Sequence, residues 1–264
     1  MPSSPESRSL AVFCDFENVA LGVREAKYAQ FDMEKVLERL LLKGSIVVKK
    51  AYCDWERYKE FKATMHGASF ELIEIPHLRQ SGKNSADIRM VVDALDLCYT
   101  KAHVDTFVIV SGDSDFSPLV SKLRENAKTV IGVGVKNSSS DLLIANCDEF
   151  IYYDDLVRAD EQKRRAAKKR RESAPAGEDK DKKQEAFDLM LETLNALIAE
   201  RGEDERIWGS MIKQALKRRK PGFNESYYGF RAFSDLLEEA EKKKLLTLER
   251  DEKSGGYLIR PAGG

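Results

Sequence analysis

Acidic residues follow two separated apolar runs of the chain. Asp15 comes directly after residues 10–14, whereas Asp113 and Asp115 come after residues 106–110 and a Ser-Gly dipeptide. Two carboxylates on either side of one serine repel each other, and each raises the free-energy cost of ionising the other. A bound cation would turn this repulsion into attraction. The spacing therefore predicts a metal site.

A third acidic position lies between these two runs, in the stretch "KNSADIRMVVDAL" at 83–95. Carboxylate oxygens are ligands for Mg²⁺ or Mn²⁺ rather than for zinc or copper. Two such ions held ~4 Å apart can stabilise the attacking and leaving oxygens of a phosphoryl displacement. The expected ligands are Asp15, Asp87, Asp113 and Asp115, with Asp93 and Asp141 as further candidates, whereas Glu17 is expected at the surface.

The same acids have a purely structural alternative. Aspartate is common in turns after strands, and the Gly-Asp-Ser-Asp stretch reads equally well as a loop that leads into a helix capped by Ser117. Both interpretations stay open for each single aspartate at this point.

Residues 10–157 alternate between short apolar runs and amphipathic segments. Such alternation predicts an α/β fold with a mostly parallel sheet and helices on both faces. Sites in these sheets form beyond the carboxyl ends of the strands, where the acids fall. Strands are predicted over 10–14, 45–53, 70–76, 106–110, 129–135 and 150–153, and helices over 32–42, 55–66, 85–102, from 117, and over 138–146. The helix at 85–102 is expected to place Ile88, Val91, Val92, Leu95 and Cys98 or Tyr99 on one apolar face.

Composition is that of a soluble globular protein. The 264 residues are 42% hydrophobic and 34% charged, with a net charge of −1. The cysteines Cys14, Cys53, Cys98 and Cys147 form no CxxC pair, which argues against a disulfide framework or a zinc site. No apolar run is long enough to span a membrane, and no signal peptide is evident. We expect a cytoplasmic protein with no membrane partner.

The chain changes character after residue 157. Residues 158–183 hold 11 Lys and Arg against 6 Asp and Glu, which predicts a basic charged linker. Its basic run either adds non-specific affinity for RNA phosphates or is only a solvated helix extension or tether. Helices are predicted over 185–201, 207–218 and 226–244, followed by a hairpin over 245–250 and 256–260. Three helices and a terminal hairpin predict a small winged-helix domain over 184–260.

The segments "FCDFENV" at 13–19, "KNSADIRMVVDAL" at 83–95 and "VIVSGDSDFSPLVSKLRENAKTVIGVGV" at 108–135 together resemble the NYN domain of PIN-like ribonucleases. The stretch "SSSDLLIANCDEFIYYDDL" at 138–156 fits the closing helix and strand of that family. The resemblance covers 9–157 and implies a metal-dependent ribonuclease. It implies Asp15, Asp87, Asp113 and Asp115 as ligands and Asn18 as the polar residue beside the first acid, with Asp93 as a second acid on its helix.

The run "PGFNESYYGFRAFSDLL" at 221–237 resembles the LOTUS (OST-HTH) domain, a family associated with RNA binding and, in some members, with helicase partners. Basic residues beside aromatic residues suit phosphate contact and base stacking, although the aromatic side chains equally fit a core. The predicted RNA contacts are Lys217, Arg218, Arg219, Lys220, Tyr227 and Tyr228.

The combined hypothesis is a Mg²⁺- or Mn²⁺-dependent hydrolase of RNA phosphodiester bonds, acting on single-stranded RNA through a C-terminal RNA-binding module. Asn18 would help position a phosphate or a water. One alternative is a non-catalytic adaptor that recruits RNA or a helicase. A phosphatase is disfavoured, because Asp15-Phe16-Glu17 departs from the Asp-x-Asp that a haloacid-dehalogenase phosphatase carries after its first strand.

Overall fold

The structure is a computed structural model that describes residues 8–28, 30–75, 85–171, 178–202, 205–251 and 255–262, without side-chain detail at 163–171 and 178–181. The chain divides into two compact units. The first consists of Met1–Leu40 and Gly44–Ala166, and the second of Leu41–Lys43 and Ala167–Gly264.

The first unit alternates strands with helices. Its elements are β1 (Arg8–Asp15), α1 (Phe16–Glu25), α2 (Met33–Lys43), β2 (Gly44–Cys53), α3 (Lys59–Gly67), β3 (Glu71–Glu74), α4 (Ser85–Thr100), β4 (Thr106–Val110), α5 (Ser117–Glu125), β5 (Thr129–Gly134), α6 (Asp141–Asn146), β6 (Glu149–Tyr152) and α7 (Tyr153–Arg171). Short 3₁₀ turns at Ser114–Phe116 and Lys136–Ser138 precede α5 and α6.

The six strands form one parallel sheet in the order β3-β2-β1-β4-β5-β6. The predicted α/β fold class is confirmed. Because β1 and β4 are adjacent although two strands intervene in sequence, the strand order reverses between them. Their carboxyl ends therefore flank the crevice in which sites of such sheets form.

Each face of the sheet has its own core, and the residues of β1 alternate between them. Leu10 and Val12 pack in the core that contains residues of α1, α2 and α3. Ala11 and Phe13 pack in the core that contains residues of α4, α5 and α6. Successive side chains of β1 point to opposite faces of the sheet, and helices cover both faces. The strand is therefore a continuous apolar run in the sequence.

The first two helices, α1 and α2, begin in different ways. Asp32 caps α2, because its carboxylate accepts a hydrogen bond from the backbone N–H of Glu34 at 3.1 Å. In contrast, α1 has no counterpart among the predicted helices. It begins at Phe16 without an intervening loop, since Asp15 is both the last residue of β1 and the N-cap of α1.

The buried face of α4 differs from the predicted one. Met90, Ala94 and Cys98 are buried, whereas Ile88 and Val92 are more than half exposed. The predicted face was right in part, because Cys98 is buried and Val91 and Leu95 pack partly buried against the same core. It was wrong for Ile88, Val92 and Tyr99, which lie on the exposed side of the helix.

The second unit contains α8 (Glu178–Arg201), β7 (Ile207–Trp208), α9 (Gly209–Arg219), α10 (Phe233–Lys242), β8 (Leu246–Arg250) and β9 (Tyr257–Pro261). Its three strands form an antiparallel sheet in the order β7-β9-β8, which includes the predicted hairpin. The predicted helix over 226–244 is shorter. Its first part is instead a 3₁₀ turn at Glu225–Tyr228, which ends at Gly229. Gly229 has a φ of +82°, a left-handed conformation that favours glycine and cannot continue a right-handed helix.

The basic segment predicted as a linker is partly helical. Helix α7 continues to Arg171 and α8 begins at Glu178, which reflects the high helix propensity of Lys, Arg, Glu and Ala. Residues 172–177 and the side chains of 163–181 lie outside the described part of the chain. In the part that is described, no helix combines the length and the apolar character that crossing a membrane requires.

Candidate active site

The predicted acids come from three different elements of the first unit. Asp15 ends β1, Asp113 follows β4 by three residues, and Asp87 lies in the first turn of α4. Because β1 and β4 are neighbours in a parallel sheet, Asp15 and Asp113 leave the same edge of that sheet. We call Asp15, Asp87, Asp113 and Asp115 the acidic cluster.

Asp15 is the most enclosed of these carboxylates, with 8% of its surface exposed. Its Oδ2 accepts a hydrogen bond from the Ser111 hydroxyl at 3.0 Å, and its Oδ1 accepts one from the backbone N–H of Asn18 at 3.3 Å. Burial raises the pKa of Asp15 to about 7, with a further contribution from the negative charge of Asp87. These two hydrogen bonds oppose the rise but do not cancel it.

The other members of the cluster act on one another electrostatically. Burial raises the pKa of Asp87 to about 6, and the charges of Asp113 and Asp115 raise it further. Among the described groups that shift the pKa of Asp15 or Asp87, none is a Lys or Arg. Ionisation of the whole cluster is therefore costly in this structure, and a cation would relieve that cost.

Asp113 also has the structural role that the turn interpretation gave to this stretch. Its Oδ1 accepts a hydrogen bond from the backbone N–H of Asp115 at 3.0 Å and caps the 3₁₀ turn. Ser117 is the first residue of α5 and not its cap. Asp115 is exposed. The cap uses one oxygen of Asp113 in one hydrogen bond, so capping and metal binding do not exclude each other.

Asn18 links α1 to the loop after β4. Its side-chain oxygen accepts a hydrogen bond from the backbone N–H of Gly112 at 2.8 Å. Gly112 in turn lies against the backbone of Ser138, since a Cβ added to it would lie 2.4 Å from the carbonyl oxygen of Ser138. The loop that carries Asp113 is thus held from two sides, and Asn18 acts here by positioning that loop.

Sequence reasoning missed two further polar residues of the site. Ser111 binds Asp15 directly and follows β4 immediately, a position that the rule about strand ends singles out. Glu17, expected at the surface, lies in the first turn of α1, and its charge raises the pKa of Asp87. The Glu17 carboxylate also pairs with the exposed Arg57 at 3.1 Å.

The two further candidates, Asp93 and Asp141, lie in different surroundings. Asp93 accepts a hydrogen bond from the Tyr52 hydroxyl at 2.9 Å and pairs with Lys50 at 3.3 Å and Arg89 at 3.0 Å. Its pKa is lowered because the Tyr52 hydrogen bond and these cations outweigh burial. Asp93 is thus satisfied by protein cations, and we correct its candidacy as a metal ligand. Asp141 is exposed at the start of α6.

The acidic cluster fits a divalent cation by the chemistry of its donors. All four side chains offer carboxylate oxygens, and the pKa values of Asp15 and Asp87 are raised first by burial and second by neighbouring carboxylates. In the described part of the chain, no three His, Cys, Asp or Glu side chains are arranged to hold an ion by themselves. Mg²⁺ does not require three protein ligands, because it keeps several waters and binds through one or two carboxylates.

The predicted RNA contacts of the second unit fall into two groups. Lys217, Lys220 and Tyr227 are exposed, and the Lys182 ammonium lies 5.6 Å from the Tyr227 ring centroid. Arg218 is half-buried.

The other two predicted contacts, Arg219 and Tyr228, interact with residues of the second unit itself. The Arg219 side chain is 5% exposed and pairs with Glu192 at 3.0 Å. Tyr228 is 9% exposed and stacks on Phe223 with ring centroids 5.2 Å apart. We therefore remove Arg219 and Tyr228 from the set of RNA contacts.

The parallel sheet with acids at its switch point defines a PIN-like α/β protein. Comparison with protein families agrees, because residues 9–154, more than half of the chain, match the NYN domain. The chain belongs to the NYN domain family. No family match supports the resemblance of the second unit to the LOTUS domain.

Two similar proteins each match somewhat more than half of the chain. An uncharacterized protein of Methanocaldococcus jannaschii is 27% identical over 137 residues, which are 52% of this chain and 54% of that protein. This chain thus spans about half the length of that relative. The crystal structure of a protein of unknown function from Vibrio parahaemolyticus matches with a TM-score of 0.51 and 29% identity, covering 58% of this chain and 97% of the other.

Proposed function

We propose that the first unit is a Mg²⁺- or Mn²⁺-dependent ribonuclease that hydrolyses RNA phosphodiester bonds. The observation that carries this proposal is electrostatic: besides burial, the charges of Asp87 and Asp113 raise the pKa of Asp15, which ends β1 beside the switch point, and the charge of Asp113 raises the pKa of Asp87. Membership of the NYN domain family supports it, because that family is generally ribonuclease-like.

The carboxylates of the acidic cluster would hold the metal. Residues that hydrogen-bond to Asp15 or to the loop of Asp113 would fix the positions of these carboxylates. Ser111 and the backbone of Asn18 orient the carboxylate of Asp15, while the Asn18 side chain holds the loop of Asp113. A bound divalent ion would supply Lewis-acid activation of water and charge neutralisation at the phosphate. In this proposal the protein contributes no nucleophilic side chain of its own.

We assign RNA delivery to the exposed positions of the second unit, Lys217, Lys220 and Tyr227. Two ammonium groups suit phosphate contacts, and an exposed tyrosine ring suits base stacking. The resemblance of 221–237 to the LOTUS domain motivates this assignment. A cytoplasmic location remains a prediction from the sequence.

Cleavage of a labelled single-stranded RNA by the full chain tests the proposed activity. Cleavage should require Mg²⁺ or Mn²⁺ and stop on addition of EDTA. Asp87→Asn should reduce the rate at least about 100-fold, because loss of outer-shell partners alone costs 10- to 100-fold at metal sites. Asp93→Asn is the matched control, since it makes the same change on the same helix outside the cluster, and it should stay active.

The adaptor hypothesis predicts a different outcome. A non-catalytic RNA binder would retain RNA in a gel-shift assay and release no product with any divalent ion. Equal activity of Asp87→Asn and Asp93→Asn would overturn the assignment of the site even if cleavage were observed. Hydrolysis of a phosphate monoester but not of RNA would favour a phosphatase.

A further inference from the structure

A stripe of apolar side chains is exposed along α4. Ile88, Val92 and Tyr99 are exposed to 63%, 55% and 65% of their surfaces. Because they are four and seven residues apart, they lie on one side of the helix, opposite the buried Met90 and Ala94. We call these three residues the α4 stripe. Exposed apolar residues that form one contiguous stripe mark interaction surfaces, whereas singly scattered ones do not.

A shallow depression borders the α4 stripe. It has a volume of about 490 Å³ and is lined by Ser85, Ile88, Arg89, Val92, Asp93 and Asp96. Its charged residues all lie on one flank of the stripe. The face thus combines an apolar strip with a charged edge, as protein–protein interfaces do at their core and rim.

The charged flank has opposite signs at its two ends. Arg89 lies near the start of α4 and Asp96 lies two turns further along. The guanidinium of Arg89 pairs with Asp93 at 3.0 Å within the helix, but its side chain remains 56% exposed. The midpoint between Arg89 and Asp96 is also the midpoint of the helix. The sequence of charges is therefore complementary to itself when the helix is reversed.

We infer that α4 is the interface through which two copies of this chain associate, with their α4 helices antiparallel. A two-fold rotation reverses the helix and keeps the charged flank on the same side of the pair. Arg89 of each copy then faces Asp96 of the other, and the two stripes pack on each other around Val92. Such an interface is isologous, so each contact occurs twice.

An RNA strand fits this face less well. Asp93 and Asp96 outnumber Arg89 on the flank, so the phosphate backbone would meet net negative charge. A single pair of helices buries less than the roughly 800 Å² per partner of a standard stable interface. We therefore expect a dimer of micromolar affinity that dissociates on dilution.

Sedimentation velocity of the full chain, from about 1 to 100 μM, measures this equilibrium. The wild type should shift from monomer to dimer across that range. Val92→Glu places a charge at the centre of the stripe and should leave a monomer. Val47→Glu is the matched control, because Val47 is also an exposed valine, at 47%, but lies on β2. It should dimerise like the wild type.

Charge reversal tests the orientation of the two helices. Arg89→Asp and Asp96→Arg should each weaken the dimer about tenfold or more, whereas the double variant should regain much of the affinity.

Melting curves establish that each variant is folded. A wild type that stays monomeric overturns the inference, and so does a dimer that tolerates Val92→Glu. A double variant no tighter than the singles contradicts the antiparallel arrangement. If the wild type is monomeric and Val92→Glu binds RNA more weakly than the wild type, the α4 stripe is an RNA-binding surface instead.

Discussion

At the scale of single residues, Asp15 gives the clearest electrostatic signal of the site. Its folded-state pKa of about 7 exceeds the ordinary value of 3.8, so the folded protein holds this proton more tightly than the unfolded chain does. Between those two values the unfolded state loses its proton first. Stability therefore falls as the pH rises through this window, and the loss is complete above the folded pKa.

Asp15→Asn should remove this pH-dependent loss. In urea unfolding with EDTA at about pH 8, the variant should be more stable than the wild type by at least about 1 kcal/mol. At about pH 5 the wild-type carboxyl is protonated, so the two proteins should differ less. A variant that is less stable than the wild type at the higher pH would show that the carboxylate is compensated by groups of the fold.

Sequence patterns at this scale predicted the acids but not their surroundings. Asp15 and Asp113 were identifiable because each is a carboxylate at or shortly after the end of an apolar strand. Ser111 follows β4 directly but was overlooked because a serine there is less distinctive than a carboxylate, and Glu17 was overlooked because a helical glutamate is usually a surface residue. Likewise, adjacent tyrosines read alike in sequence, although Tyr227 is exposed and Tyr228 packs against Phe223.

At the scale of elements, the strands of the first unit were the most predictable. The central strands β1, β4 and β5 are mostly buried apolar runs, so their limits stand out, and β4 has the predicted limits of 106 and 110. Helix α1 was not predictable in the same way, because no loop separates it from β1. The face of α4 was ambiguous because apolar residues occupy most of the circumference of that helix.

Close packing between elements at the site predicts a specific effect of Gly112→Ala. The added Cβ would lie 2.4 Å from the carbonyl oxygen of Ser138, so the loop before Asp113 must shift. We expect a loss of about 1–3 kcal/mol and reduced cleavage. Thermal melting and the RNA assay measure both effects.

Gly67→Ala is the control for this substitution, because nothing lies within 4 Å of the Cβ it would add at the end of α3. It should leave stability equal or slightly higher, since alanine favours helix over glycine. Wild-type stability and activity in Gly112→Ala would mean that the loop accommodates the side chain and that its packing does not position Asp113.

At the scale of the whole molecule, the division of labour between the units predicts separate effects on binding and chemistry. Replacing Lys217, Lys220 and Tyr227 together with Ala in the full chain should raise KM for a long RNA much more than it lowers kcat. The salt dependence of binding should flatten, because two phosphate contacts are removed. Fluorescence anisotropy over a salt series gives the slope.

Lys242→Ala is a control within the same unit, since Lys242 is an exposed lysine outside the predicted contacts. It should leave RNA affinity unchanged. Equal affinity of the triple variant and the wild type would assign the second unit to a protein partner. The sequence predicted the helices and hairpin of this unit, but not which of its basic and aromatic residues reach the surface, because that depends on packing between elements.

The most direct test of the metal site is Asp113→Asn, because it separates the two interpretations of this residue. Asparagine caps helical turns about as well as aspartate, so the substitution retains the cap and removes the charge. In EDTA the variant should melt at or above the wild-type temperature, since like-charge repulsion is relieved. With Mn²⁺, the wild type should gain thermal stability and cleave single-stranded RNA, whereas the variant should do neither. Wild-type cleavage and wild-type stabilisation by Mn²⁺ in Asp113→Asn would contradict the metal-dependent nuclease site.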